Sequence, residues 1–190
     1  QVWDLDEAGE AGQAALARIA GHVQEAYLAD PARTRAVALR DWGTLARRLG
    51  EDAGVRRQWA QALRRGFAAT AEAVAGLDGG QFGRLRGVLA YLGDPDVLDL
   101  ERQWLEQAGP ERLGELEIGY VLQLCRRFHE VGAAGQPILQ KLARHVTATY
   151  TADAEAARQL GPMGWGVLTR FLTDVLEPAA RCRWSQRLRE

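Results

Sequence analysis

The sequence predicts an all-α fold, an α-solenoid of about four degenerate helix-turn-helix repeats behind an N-terminal helix. Three observations carry that prediction. Four segments, WGTLARRL (42–49), FGRLRGVL (82–89), IGYVLQLC (118–125) and WGVLTRFL (165–172), share one pattern: a large apolar residue, a glycine, then Leu or Val and a further apolar residue on the same helical stripe. Their glycines, Gly43, Gly83, Gly119 and Gly166, lie 40, 36 and 47 positions apart. Self-similarity at that period marks arrays of helical hairpins, in which each unit buries its apolar face on its neighbours. Finally, apolar spacing is helical nearly throughout, and no segment alternates at period two.

The elements follow in order. Leu16, Ile19, Ala20, Val23 and Tyr27 mark one face of a first helix, which ends where Pro31 interrupts the pattern. Pro31 equally suits the first turn of the next helix, with Asp30 as its cap. Residues 1–35 therefore form an N-terminal helical segment, and residues 36–190 a repeat array with a short basic C-terminal tail. Within the array the residue before each glycine is Trp42, Phe82, Ile118 or Trp165, and two after it come Leu45, Leu85, Val121 and Leu168. Leu49, Leu89, Cys125 and Leu172 extend the stripe, then Leu92, Phe128 and Val175; the first unit has Asp52 at that last place. A mid-helix glycine costs about 1 kcal/mol against alanine. Its return in four units predicts a backbone held close to a neighbouring helix, so that Gly119→Leu should overfill the contact.

Each first helix calls for a partner. Val55, Trp59, Leu63 and Phe67 supply one, with the pattern running on to Val74. Gly93-Asp94-Pro95 turns into Val97, Leu98, Leu100, Trp104 and Leu105, with Asp94 placed to cap and Pro95 at the first helical position. Gly132 to Gly135 form the loop before Ile138, Leu139, Leu142 and Val146. Turns at residues 76–80 and at Gly109-Pro110 separate the hairpins. In the last unit Pro178 and an arginine-rich tail shorten or replace the second helix, as terminal repeats often do.

Composition narrows the function. The formal net charge is −1 and Lys141 is the only lysine, so no global field draws the chain to nucleic acid or acidic lipid, although a local basic stripe can. No apolar run approaches a membrane span. Gln1 is not an initiator residue, so a processed form or a fragment is expected. Residues 1–12 have neither the basic start nor the apolar core of a secretion signal.

Catalytic and cofactor patterns are weak. Cys125 replaces a core Leu and reads as a buried reduced thiol, and neither it nor Cys182 has zinc-ligand spacing. Cys125 and His129, four apart, form a remote candidate thiolate–imidazole pair. His22, His129 and His145 make no HxxxH or HExxH arrangement. GGQFGR (79–84) follows no strand and lacks the Lys-Ser/Thr ending of a phosphate loop, so it reads as a turn. Glu115 and Glu117 sit where a helix start favours negative charge. Ser185 is the only serine, and no nucleophile elbow exists. No catalytic residue, cofactor, metal or small-molecule substrate is expected.

Binding surfaces are the stronger candidates. Arg40, Arg47, Arg48, Arg56, Arg57, Arg64 and Arg65 concentrate positive charge in the first hairpin, against Asp41, Glu51 and Asp52. The terminal RCRWSQRLR (181–189) interleaves Trp184 with Arg181, Arg183 and Arg187. Arginine with an aromatic platform is one way single-stranded nucleic acid is held. The alternative is that the arginines occupy solvated helix faces while Trp184 packs on the last repeat.

The third unit, residues 115–146, resembles the two-helix repeats of organellar proteins: the octotricopeptide and heptatricopeptide repeats and the repeats beside FAST-kinase-like and RAP domains. Glu117-Ile118 opens its first helix, and Ile138-Leu139-Gln140-Lys141-Leu142-Ala143 supplies the second. The second unit matches through its YLGDPDVL turn (91–98), and the resemblance covers roughly residues 37–176. It implies a mitochondrial or plastid protein that acts in transcript processing or as an added part of an organellar ribosome. Irregular repeat lengths depart from a one-repeat-one-base reading, no RAP-like domain closes the chain, and HEAT- or armadillo-like packing competes. The expectation is a non-enzymatic scaffold or adaptor that docks onto protein subunits of a larger assembly, with direct binding of single-stranded RNA as the alternative.

Overall fold

The computed structural model describes residues 9–49, 53–152 and 154–187, and among them every regular element is helical. Contacts group the chain into two compact units, Gln1–Gln107 and Ala108–Glu190. The division expected at residue 35 falls inside the first.

The first unit opens with α1 (Gly9–Val23), which runs on through a π-type turn at Gln24–Leu28. Next come α2 (Pro31–Ala36), α3 (Leu39–Leu49) and α4 (Ala53–Phe67). The remaining helices are α5 (Ala71–Gly76), α6 (Gly79–Tyr91) and α7 (Val97–Gln107). Asp30 caps α2, accepting from the Ala32 N–H at 2.8 Å, with Pro31 in the first turn. The apolar pattern from Val55 to Val74 is not one helix. Thr70 accepts from the Ala73 N–H at 3.2 Å and opens α5 as a separate element.

Asp78 and Gln81 form a capping box at the start of α6. The GGQFGR stretch is therefore the first turn of a helix rather than a free turn. Asp94 does not cap α7. It pairs with Arg64 and accepts from the Asp96 N–H at 2.9 Å, and the helix starts at Val97.

Helix α3 lies against α6, α2 packs on α4 and α5 on α7. The hairpin partners α6 and α7 also touch. The repeat stripe faces inward at Trp42, Phe82, Leu85 and Leu89, all fully buried. The side chain of Leu49 and residue Asp52 lie outside the described residues.

The second unit has α8 (Pro110–Gly114) and α9 (Ile118–Glu130), then a 3-10 turn at Gly132–Gly135 leading into α10 (Gln136–Tyr150). After α11 (Ala154–Leu172) and a 3-10 turn at Thr173–Val175 comes α12 (Pro178–Arg187). Helix α11 is broken at Gly161, whose φ of +60° suits glycine, with Pro162 just after it. Helix α9 packs on α10 and α11, and α10 on α8 and α11. Val121, Cys125, Phe128, Leu168 and Leu172 carry the buried stripe. The expected tail is a ten-residue helix to Arg187.

Aromatic pairs join α3 to α4, α6 to α7 and α11 to α12. Trp42 meets Trp59 edge-on with ring centroids 6.0 Å apart, Phe82 stacks on Trp104 at 4.2 Å, and Trp165 meets Trp184 edge-on at 5.4 Å. In each, the residue before one of the four glycines meets a tryptophan from the next α-helix. Such pairs add about 0.5–1.5 kcal/mol beyond the area they bury. Three indoles are anchored: Trp42 donates to the Thr34 carbonyl at 2.9 Å, Trp104 to that of Leu77 at 3.0 Å and Trp165 to that of Ala157 at 3.0 Å, whereas the buried Nε1 of Trp59 has no partner among the described residues.

The repeat glycines do not play the expected part. A Cβ added at Gly83, Gly119 or Gly166 meets no neighbouring atom within 4 Å, and one at Gly43 makes an ordinary 3.4 Å contact with Val88. Close approach occurs elsewhere. A Cβ at Gly66 would lie 2.8 Å from the Thr34 methyl, and one at Gly135 only 1.9 Å from the Phe128 carbonyl oxygen. The expectation that Gly119→Leu overfills a helix contact is corrected: Gly119 is exposed, with open space beside it. No helix among the described residues is long and apolar enough to cross a membrane.

Candidate docking grooves

The open space beside the repeat glycines is organised. Between α3 and α6 runs a groove of about 310 Å³, floored by Gly43, Ala46, Gly87 and Val88. Arg40, Arg47 and Arg84 line it, with Tyr91 at one end. The Tyr91 hydroxyl lies 3.5 Å from the Arg47 carbonyl oxygen, and the Arg56 guanidinium sits 5.4 Å from the ring centroid. Arg40 is 3.5 Å from Asp41, an exposed pair that contributes little.

An equivalent groove of about 760 Å³ lies between α9 and α11 in the second unit, with Gly166 and Val167 in its wall. Its apolar lining includes Leu122, Phe171 and Met163, the last 84% exposed. His129 approaches the Phe171 ring at 5.2 Å, Arg170 lies 5.5 Å from the same ring, and Arg126 pairs with Glu130 at 2.9 Å. A third cleft, of about 580 Å³, lies between α10 and α12, with Arg144, Arg183 and Glu177 among its polar residues.

The candidate arginines separate by environment. Arg47, Arg57 and Arg65 are exposed, while Arg48 and Arg56 are half-buried. Arg47 lines the α3/α6 groove and Arg65 a smaller cleft beside Gln58 and Gln61. Arg64 is consumed by its ion pair with the buried carboxylate of Asp94. In α12, Arg181 donates to the Leu176 carbonyl at 3.0 Å, and Arg183 is exposed. The side chain of Arg187 and residues 188–190 lie outside the described residues. Trp184 is 3% exposed, with its ring edge-on to Trp165 and its N–H on Thr147. The reading of Trp184 as a stacking platform for a base is corrected, because the protein interior takes up the ring.

The structure thus gathers Arg47 and Arg56 around Tyr91 and sets Arg40 and Arg84 beside them. Sequence reasoning missed Arg84 because it lies outside the arginine cluster of the first hairpin, and it attached no role to Tyr91 or Met163. The available signal was positional. Arg84 immediately follows a repeat glycine, on the side of the helix away from the buried stripe.

Nucleophile chemistry finds no footing at Cys125. The thiol is buried and its pKa is pushed up to about 12 by that burial, which leaves no thiolate at neutral pH. His129 is exposed against Phe171. Among the described residues no cluster of three or more His, Cys, Asp or Glu side chains is arranged to hold a metal ion. No protein-family model, curated protein or solved structure matches the chain.

Proposed function

We propose that this chain is a non-catalytic helical-repeat adaptor that docks protein subunits of a larger assembly along its first-helix faces. One observation carries the reading: in both units, a pair of consecutive first helices leaves an open groove beside a repeat glycine, Gly43 in one and Gly166 in the other. Apolar floors rimmed by charged side chains are the anatomy of protein-docking sites. The contacts of the glycine-bearing helices with one another, α3 with α6 and α9 with α11, support a solenoid-type repeat arrangement within each unit. The resemblance of the repeats points to an organellar ribonucleoprotein as the assembly.

Direct binding of single-stranded RNA is the second reading. The exposure of Arg47, Arg57, Arg65 and Arg183 favours it, and the burial of Trp184 removes its aromatic partner in the tail. A native pull-down with and without ribonuclease separates the two. The adaptor reading expects partners that survive ribonuclease and are lost from chains carrying Arg47→Glu with Arg84→Glu, or Met163→Glu. Partners released by ribonuclease alone would overturn it.

A further inference from the structure

We infer that the α3/α6 groove receives an acidic amphipathic helix from a protein partner; this rests on the adaptor reading and names the chemistry of one of its sites. Charge complementarity commits the groove to an anionic occupant. Arg40, Arg47 and Arg84 line it; of the carboxylates near them, Asp41 is exposed and already faces Arg40, and Asp78 lies near Arg84 beside Gly80 without forming an ion pair. Arg47 and Arg84 have no ion-pair partner among the described residues.

The floor chooses between anionic occupants. Gly43, Ala46, Gly87 and Val88 make a strip of small and aliphatic residues, and a Cβ at Gly87 would meet nothing within 4 Å. Such a floor admits the apolar face of a helix at short interaxial distance. A nucleic acid strand has no aliphatic face to lay there, and its bases would find one exposed ring, Tyr91. The chain's net charge of −1 also supplies no long-range attraction for a polyanion.

Spacing fits as well. Arg40 and Arg47 are two turns apart on α3, about 10 Å along its axis, which matches acidic residues two turns apart on a docked helix. Arg84, on α6, faces the same groove from the other wall. Tyr91, 42% exposed under the Arg56 guanidinium, offers an aromatic end-stop for an apolar residue of the partner.

The test is selection of a displayed library of random helix-forming peptides against the full chain at low salt. The expected winners carry acidic residues on one side of an apolar stripe. Their affinity for the Arg47→Glu/Arg84→Glu chain falls by at least about tenfold, because the charges now repel. Affinity for Arg57→Glu, an exposed arginine outside the groove, stays within about twofold of the parent on the same argument. Circular dichroism melting of each variant checks that it is folded. Winners that are neutral or basic overturn the inference, as do winners indifferent to the Arg47 and Arg84 changes. If winners are lost on Met163→Glu alone, this inference falls and the adaptor reading stands, whereas no selectable peptide at all sinks both. An oligouridylate that binds the parent chain more tightly than any winner, and is lost with Arg47 and Arg84, would reassign the groove to nucleic acid.

Discussion

Nε1 of Trp184 donates to Oγ1 of Thr147 at 2.9 Å, and both residues are buried. The hydroxyl passes the chain on, donating to the Ala143 carbonyl at 2.7 Å. Helix α12 is thereby fastened to α10 by a hydrogen-bond relay, while the Trp184 ring closes on Trp165. An arginine-rich terminal stretch is made part of the second unit's core by one indole.

Trp184→Ala is accordingly expected to destabilise the chain by about 3–5 kcal/mol, the range for emptying a buried aromatic site. Trp184→Phe keeps most of the ring burial but removes the donor to Thr147, for a smaller loss of about 1–2 kcal/mol. Urea unfolding of the two variants measures the difference. A loss under about 0.5 kcal/mol for the alanine variant, typical of a surface site, would contradict the packing role.

The glycines give a test of opposite sign. Gly83→Ala and Gly166→Ala place a methyl group in open space on a helix and should stabilise by about 0.5–1 kcal/mol each. Gly135→Ala drives a methyl group onto the Phe128 carbonyl oxygen, so it should cost more than about 1 kcal/mol. Thermal midpoints of the three chains decide the matter. Equal effects at all three positions would show that local space does not govern them.

That contrast marks what the sequence could and could not convey. The stripe through Trp42, Phe82, Val121 and Leu168 was legible because helical periodicity states which face is buried. The glycines gave the location of something shared by the repeats and not its nature, since a missing side chain serves close packing and open space equally. Short helices such as α5 and α8 were invisible in the periodicity, being too brief to show it. Arg64 and Arg86 could not be told from Arg47 by type; only the fold reveals that carboxylates more than ten residues away claim the first two. The basic groove was half legible, because Arg47 drew notice as part of a cluster while Arg84 comes from another repeat.

Arg86 and Glu101 join α6 to α7 at 2.7 Å, with the Glu101 side chain fully buried. Glu101→Ala is expected to cost about 3 kcal/mol, because it leaves a guanidinium poorly matched in a partly dry site. Adding Arg86→Met to Glu101→Leu should recover most of that loss. A double-mutant cycle on unfolding free energies reads the coupling. Additive losses would mean that the pair does not act as one.

His145 supplies a pH dependence. Partial burial disfavours its charged form and holds its pKa below the ordinary 6.5. The unfolded chain therefore takes up this proton first as pH falls. The contribution is intact above about pH 6.5 and is lost as pH drops from there toward the lowered folded value. Urea midpoints at about pH 8 and about pH 5 should show a larger acid-side loss for the parent chain than for His145→Gln. Equal losses would contradict it.

The adaptor account stands most directly on whether partners cover the first-helix grooves. Hydroxyl-radical footprinting reads this through two natural reporters, Tyr91 at the α3/α6 groove and Met163 at the α9/α11 groove, both exposed in the free chain. In the assembly recovered after ribonuclease treatment, oxidation of one or both side chains is expected to fall several-fold relative to the free chain. If both oxidise as fast in the assembly as they do alone, partners bind some other face and the account is wrong.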